Sequence, residues 1–116
     1  MARPPQAPQI RINEILDTAE PLFYAKGYYE TATSEIAKKL GVAEGTLYYY
    51  FKSKEEILEA LINRHISAFI SEVEPMVYSD NIVPSVKFSL IMQAIFRTVQ
   101  HQEGKVLFGY LYWLQA

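Results

Sequence analysis

The residues best equipped for chemistry in this chain are hydrogen-bond donors and cations rather than nucleophiles. Tyr48, Tyr49 and Tyr50 stand in sequence, Lys52 and Lys54 follow them, and the hydroxyls of Thr31, Thr33 and Ser34 come shortly before. Tyrosine hydroxyls and capped helix N-termini hold oxyanions such as phosphate without a large basic surface. Covalent chemistry has no comparable support. No Ser-His-Asp set, phosphate loop or pair of carboxylates in a glycine-rich loop is visible, and His65 and His101 have no companion at metal-ligand spacing. With no cysteine, disulfides, thiol catalysis and zinc fingers are excluded. The reading is a non-enzyme with no cofactor and no metal, in which His65, near the apolar face of a long helix, is a hydrogen-bonded packing residue.

Charge sharpens this. The 116 residues carry a formal net charge of −2, so the overall basicity usual in a nucleic-acid binder is missing. The distribution is uneven, however. Between Ile36 and Lys54, four lysines (Lys38, Lys39, Lys52, Lys54) face only Glu44, a local net of +3 that leaves −5 for the rest. A basic head on an acidic body docks one way round on a polyanion. Half of the residues are hydrophobic, enough for one compact domain or two small helical units. The longest apolar run, 106–114, falls short of the ~20 residues that a spanning helix needs. The opening residues are Pro-rich and polar rather than a basic-then-apolar leader, so a cytoplasmic location is expected.

The elements that must position these donors are helices. Ile12, Ile15, Leu16, Ala19, Leu22 and Phe23 form one stripe at spacings of three and four. Pro21 predicts a kink or weak turn within it, and Gly27 predicts its end. Thr31, Thr33 and Ser34 offer capping hydroxyls to a short second helix carrying Ile36, Ala37 and Leu40. Gly41 breaks that pattern, and a third short helix follows over 43–51. Ser53 and Glu56 form a capping box for a long fourth helix with the stripe Ile57, Leu58, Leu61, Ile62, Ile66, Phe69, Ile70 and Val73, predicted to end at Pro75. Pro84-Ser85 starts a fifth, with Phe88, Ile91, Met92, Ile95, Phe96 and Val99 on one face, stopping before Gly104. Alternation of the strand type is absent, so the fold class is all-α, with about six helices.

Residues 33–52 satisfy the geometry of a helix-turn-helix. Two short helices that cross steeply need a small side chain at their closest approach, which Ala37 supplies. Their turn needs a residue that tolerates positive φ, which Gly41 supplies four positions on. Ile36, Leu40, Val42 and Leu47 make the small core between these helices and the first.

With those residues in view, the sequence from Ile12 to Leu61 resembles the tetracycline-repressor (TetR) family of bacterial transcriptional regulators. The resemblance rests on Ala19, Leu22-Phe23, Gly27-Tyr28, Thr31, Ile36-Ala37 and Leu40-Gly41-Val42, and above all on the run Gly45-Thr46-Leu47-Tyr48-Tyr49-Tyr50-Phe51-Lys52-Ser53-Lys54-Glu55. It implies a flexible arm over 1–10, a three-helix DNA-binding domain with its helix-turn-helix over 11–53, and over 54–116 a linking helix with the start of a helical effector and dimerisation domain. It also implies a homodimeric repressor on a roughly palindromic double-stranded DNA operator, released by a small-molecule effector. Carried over by position, Thr33, Ser34, Tyr48, Tyr49, Tyr50 and Lys54 match phosphate-touching residues, and Glu44, Gly45 and Thr46 match those that approach base edges. Gly45, lacking a side chain, lets the helix backbone come close to the groove.

Departures from the family pattern are informative. Ala32 and Ala43 stand where a hydroxyl residue is common, and Pro21 is unusual in a first helix. Glu44 has two roles open to it: accepting from a cytosine amino group, or complementing the positive end of the helix dipole. Three consecutive helical tyrosines cannot all be exposed, so Tyr48 or Tyr50 is expected to pack partly on the core while Tyr49 faces outward. The arm with Arg3 either reaches a minor groove or is untethered.

The segment 106–116 carries no charge and is apolar nearly all round, so it predicts cover by a partner chain or by further sequence. Its aromatics Phe108, Tyr110, Tyr112 and Trp113, with Phe96, are candidate effector-binding residues, although a stripe of aromatics is more often core. The alternative reading of the whole is a helical protein-interaction module that uses this apolar segment.

Overall fold

The computed structural model describes residues 7–100, apart from the side chain of Val99, and every described element is helical. The elements are α1 (Pro8–Lys26), α2 (Thr33–Leu40), α3 (Glu44–Tyr50), α4 (Lys54–Val77) and α5 (Pro84–Gln100). The all-α expectation holds for these residues. Arg3, His101, Gly104 and the apolar segment from residue 106 lie outside them.

The chain forms two units that meet within α4, at Ala60 and Leu61. In the first, the stripe of α1 is the buried face: Ile15, Leu16, Ala19 and Phe23 are buried, with Ile12 and Leu22 half-buried at its edge. α2 packs against both α1 and α3. Ile36, Ala37 and Leu47 fill the space between them, while Leu40 and Val42 form a half-buried rim. Phe51, Ile57 and Leu58 complete the apolar interior of this unit. Among the described residues of the second unit, Leu61, Ile62, Val73 and Ala94 are buried.

Two glycines set the turns. Gly27 ends α1 at φ 102°, its amide donating to Phe23 O at 3.0 Å. A side chain there would be strained and would meet the Glu30 carboxylate. Gly41 ends α2 in the left-handed region at φ 82°. The Gly41 amide donates to the carbonyls of Ala37 and Lys38, and Val42 reaches back to Ala37 O at 3.0 Å. That pairing is a Schellman motif, and it turns the chain directly into α3.

The helix starts differ from expectation in instructive ways. The N-caps of α2 and α3 are Ala32 and Ala43, neither with a side-chain cap. Glu35 Oε1 accepts from the Ala32 amide at 3.3 Å, but alanine has no hydroxyl to return the bond, so only half a capping box forms. Lys26 Nζ sits 2.7 Å from both Glu35 oxygens. That ammonium first, and the Ala32 amide second, hold the Glu35 carboxyl below its usual range. At α4 the Ser53 hydroxyl does cap the Glu56 amide, at 3.2 Å, and Glu56 reaches back to the amide of Lys52 rather than Ser53. α1 runs on through Pro21, which is exposed, so water can satisfy the carbonyl one turn earlier. α4 likewise passes Pro75 to end at Val77.

Thr31 is a correction rather than a variation. It caps nothing; it is the one buried polar residue among those described, 1% exposed. Its hydroxyl donates to Gly27 O at 2.7 Å, with Leu22 O at 3.3 Å, tying the end of α1 to the loop before α2. Thr31→Val keeps the shape but removes the donor from two enclosed carbonyls. It should lower stability by about 1 to 2 kcal/mol, read as a lower urea midpoint; an unchanged midpoint would mean the hydroxyl contributes nothing.

Candidate nucleic-acid interface

The start of α2, the face of α3 and the start of α4 converge in the first unit. Thr31, Ala32 and Thr33, then Tyr48, then Lys52, Ser53 and Lys54, line an open groove of about 400 Å3. Four of the seven side chains carry hydroxyls and two carry ammonium groups. Ala32 and Thr33 bring the start of α2 to this groove without a side-chain cap, and Glu35 in the first turn accepts from the Ala32 amide.

The structure distributes the expected site residues over this surface. Tyr49 is 81% exposed and Tyr48 47%, while Tyr50 is half-buried, its ring edge-on to Tyr49 at 5.0 Å. Thus Tyr49 points outward, as the three-tyrosine argument requires. Ser34, Glu44 and Gly45 are exposed, and Thr33 and Thr46 half-buried. A Cβ built on Gly45 would meet nothing within 4 Å, so the backbone there is bare toward solvent. Tyr48, Thr33 and Glu44 form one hydrogen-bonded chain, with 3.0 Å between the two hydroxyls and 3.2 Å from Thr33 Oγ1 to Glu44 Oε1.

Lys54 is placed as spacing alone could not place it. Its ammonium turns inward and donates to Tyr28 O at 2.7 Å and Thr31 O at 3.2 Å. It also lies 4.3 Å from the centre of the Tyr28 ring and 5.9 Å from that of Tyr29. Lys54 therefore fastens the start of α4 to the loop before α2, in a cation–π seat that compensates for a cation at a helix N-terminus. Lys52 and Ser53 are lining residues that the sequence offered only as charge and as a cap. Phe96 is 61% exposed on α5, and the candidate effector residues Phe108, Tyr110 and Trp113 fall outside the described residues.

Tyr28 records how enclosed this seat is. Its hydroxyl is buried without a hydrogen-bond partner among the described residues. Burial first, and then the nearby charges of Glu55, Tyr29 and Glu59, push its pKa up to about 12. A phenol that ionises less readily folded than unfolded contributes stability that is whole below the ordinary value near 10 and is lost as pH rises toward 12. An absorbance titration of the tyrosines should show a step near 12 that Tyr28→Phe removes; persistence of that step in the variant would assign it elsewhere.

Short helices with a left-handed glycine turn, a bare glycine on the second helix and donors around its rim define a helix-turn-helix protein. Comparison with known proteins makes the class specific. Residues 15–61 match the family of bacterial regulatory proteins, tetR family. Among curated relatives, it is 43% identical over 61 residues to the fatty acid metabolism regulator protein of Bacillus subtilis, covering 53% of this chain and 31% of that protein. It is 26% identical over 103 residues to the HTH-type transcriptional repressor KstR2 of Mycolicibacterium smegmatis, covering 89% of this chain and 50% of that one. Among solved structures, the transcriptional regulator FadR from Bacillus subtilis in complex with stearoyl-CoA superposes with a TM-score of 0.67 at 27% identity, over 86% of this chain and 64% of that one. The chain thus spans about a third to a half of the length of the curated relatives it matches.

Proposed function

We propose that this chain is the DNA-reading end of a transcriptional regulator, a repressor that binds a roughly palindromic operator as a homodimer and leaves it when a small molecule binds. The observation that carries the reading is the groove shared by α2, α3 and α4, where Thr33, Tyr48 and Lys52 stand beside a helix start that has no side-chain cap. Such a surface grips phosphate oxygens by hydrogen bonds, which suits a chain whose net charge is −2. On it, α3 is the reading helix. Thr33, Ser34, Tyr48, Tyr49 and Tyr50 contact phosphates, and Glu44, Gly45 and Thr46 approach base edges. Lys54, with both carbonyls in hand, positions the start of α2 and adds charge at short range. In this reading residues 11–53 are the DNA-binding domain, and 54–116 hold the linking helix and the start of the effector and dimerisation domain.

Repression is supported by the likeness to the transcriptional repressor KstR2, and effector release by the likeness to a regulator crystallised with stearoyl-CoA. A DNA-bound protein of this kind works in the cytoplasm, and among the described residues no helix is long and apolar enough to cross a membrane. The second reading, a protein-interaction module, is favoured by one observation: Val83, Val86, Phe88, Ile95 and Phe96 are exposed on or beside α5.

Duplex titration of the full-length protein separates the two. Affinity should fall steeply with salt, with a log–log slope of about −0.9 per phosphate neutralised. Half-sites should lie about one turn, ~34 Å, apart or slightly more. Tyr49→Ala should weaken binding by about tenfold or more with helicity unchanged by circular dichroism; undiminished affinity would remove α3 from the interface.

A further inference from the structure

The acidic member of α3 touches the hydroxyls that the reading above assigns to phosphate. A carboxylate only accepts and Thr33 has one hydroxyl proton, so the chain among Tyr48, Thr33 and Glu44 has one direction. Tyr48 donates to Thr33, and Thr33 donates to Glu44. In this arrangement both protons point away from any oxyanion in the groove, which Thr33 and Tyr48 both line. The carboxylate also sets a negative charge at the rim that an incoming phosphate would meet. Glu44 is exposed and next to bare Gly45, so its side chain is free to swing outward once Thr33 lets go.

We propose that Glu44 is a specificity gate, an inference that rests on the DNA-binding reading. Its carboxylate occupies Thr33, and through it Tyr48, as an internal substitute for phosphate. It releases them where the duplex offers the carboxylate another donor, as the exocyclic amino group of cytosine does at a major-groove edge. Without that donor one of two losses follows. Either the hydroxyls stay with Glu44 and the phosphate contacts are forgone, or Glu44 is left beside phosphates with no partner. Both weaken attachment to the wrong sequence. Glu44 thereby acts against indiscriminate binding rather than for affinity.

The test is fluorescence anisotropy of the full-length protein on a mixed-sequence duplex without the operator, at one fixed salt concentration. Four proteins are compared: wild type, Glu44→Ala, the pair Thr33→Val with Tyr48→Phe, and all three changes together. Glu44→Ala should tighten binding about fivefold in the wild-type background, the effect of freeing about one hydrogen bond. Within the Thr33→Val, Tyr48→Phe background the same change should alter affinity by less than about twofold. Equal tightening in both backgrounds would show simple removal of a negative charge and overturn the gate, as would no tightening in either. A measurement without DNA checks the link itself: the Thr33 methyl resonance should move on Glu44→Ala, and an unmoved resonance overturns the proposal. If that resonance moves yet none of the four proteins binds any duplex, the DNA-binding reading fails and takes the gate with it.

Discussion

One small polar junction holds the groove of the first unit in place. The last turn of α1 and the loop after it bring four backbone carbonyls within reach of two side chains, those of Leu22, Gly27, Tyr28 and Thr31. One hydroxyl and one ammonium serve all four: Thr31 takes the first two and Lys54 the last two. The Thr31 amide also donates to Tyr28 O, at 3.4 Å, and the two side chains add further donors to these part-buried carbonyls, each worth on the order of a kilocalorie per mole. The consequence is positional. The end of α1, the start of α2 and the start of α4 become parts of one joint, and the groove opens directly beside it.

That joint explains how a chain with more acids than bases can present a surface for anions. Attraction does not depend on the sum of charges but on what the groove lays along its wall. There it has a helix start without a side-chain cap, hydroxyls from α2 and α3, and lysines at the α3–α4 connection. The Schellman turn at Gly41 does the complementary work, since it fixes α3 relative to α2 without any long-range contact. Those turns and the polar joint, together with the buried Ile36, Ala37 and Leu47, hold two short helices that would be marginal alone.

Much of the first unit was legible in the sequence, for physical reasons. Apolar spacings of three and four named the buried face of α1 and, in α4, Ile57, Leu58, Leu61, Ile62 and Val73, whereas Ile66 and Ile70 of the same stripe are exposed; Gly27 and Gly41 marked positions where φ is positive. Ala37 was readable as the small residue at the close approach of helices. What spacing does not carry is the direction of a polar side chain. Thr31 looked like a cap because caps and buried hydroxyl ties use the same residue types. Lys54 looked like an outward cation because nothing in its neighbours announces two inward carbonyls and two rings. The Tyr48–Thr33–Glu44 chain joins positions 15 and 11 apart, and no periodicity predicts it. In α5 the expected stripe is not the buried face: Phe88, Met92, Ile95 and Phe96 are exposed, Ile91 is half-buried, and Ala94, outside the stripe, is buried. Periodicity names a face; it does not say that anything described here covers it.

In the function proposed above, the α2 start, α3 and the α4 start form one contact surface for duplex DNA. Amide and methyl chemical-shift mapping during titration of the full-length protein with a duplex tests it most directly. The perturbed resonances should cluster at Thr33 and Ser34, across Glu44 to Tyr50, and at Lys52 to Lys54, with α5 silent. Perturbation concentrated on the exposed face of α5, with α3 unmoved, would contradict it.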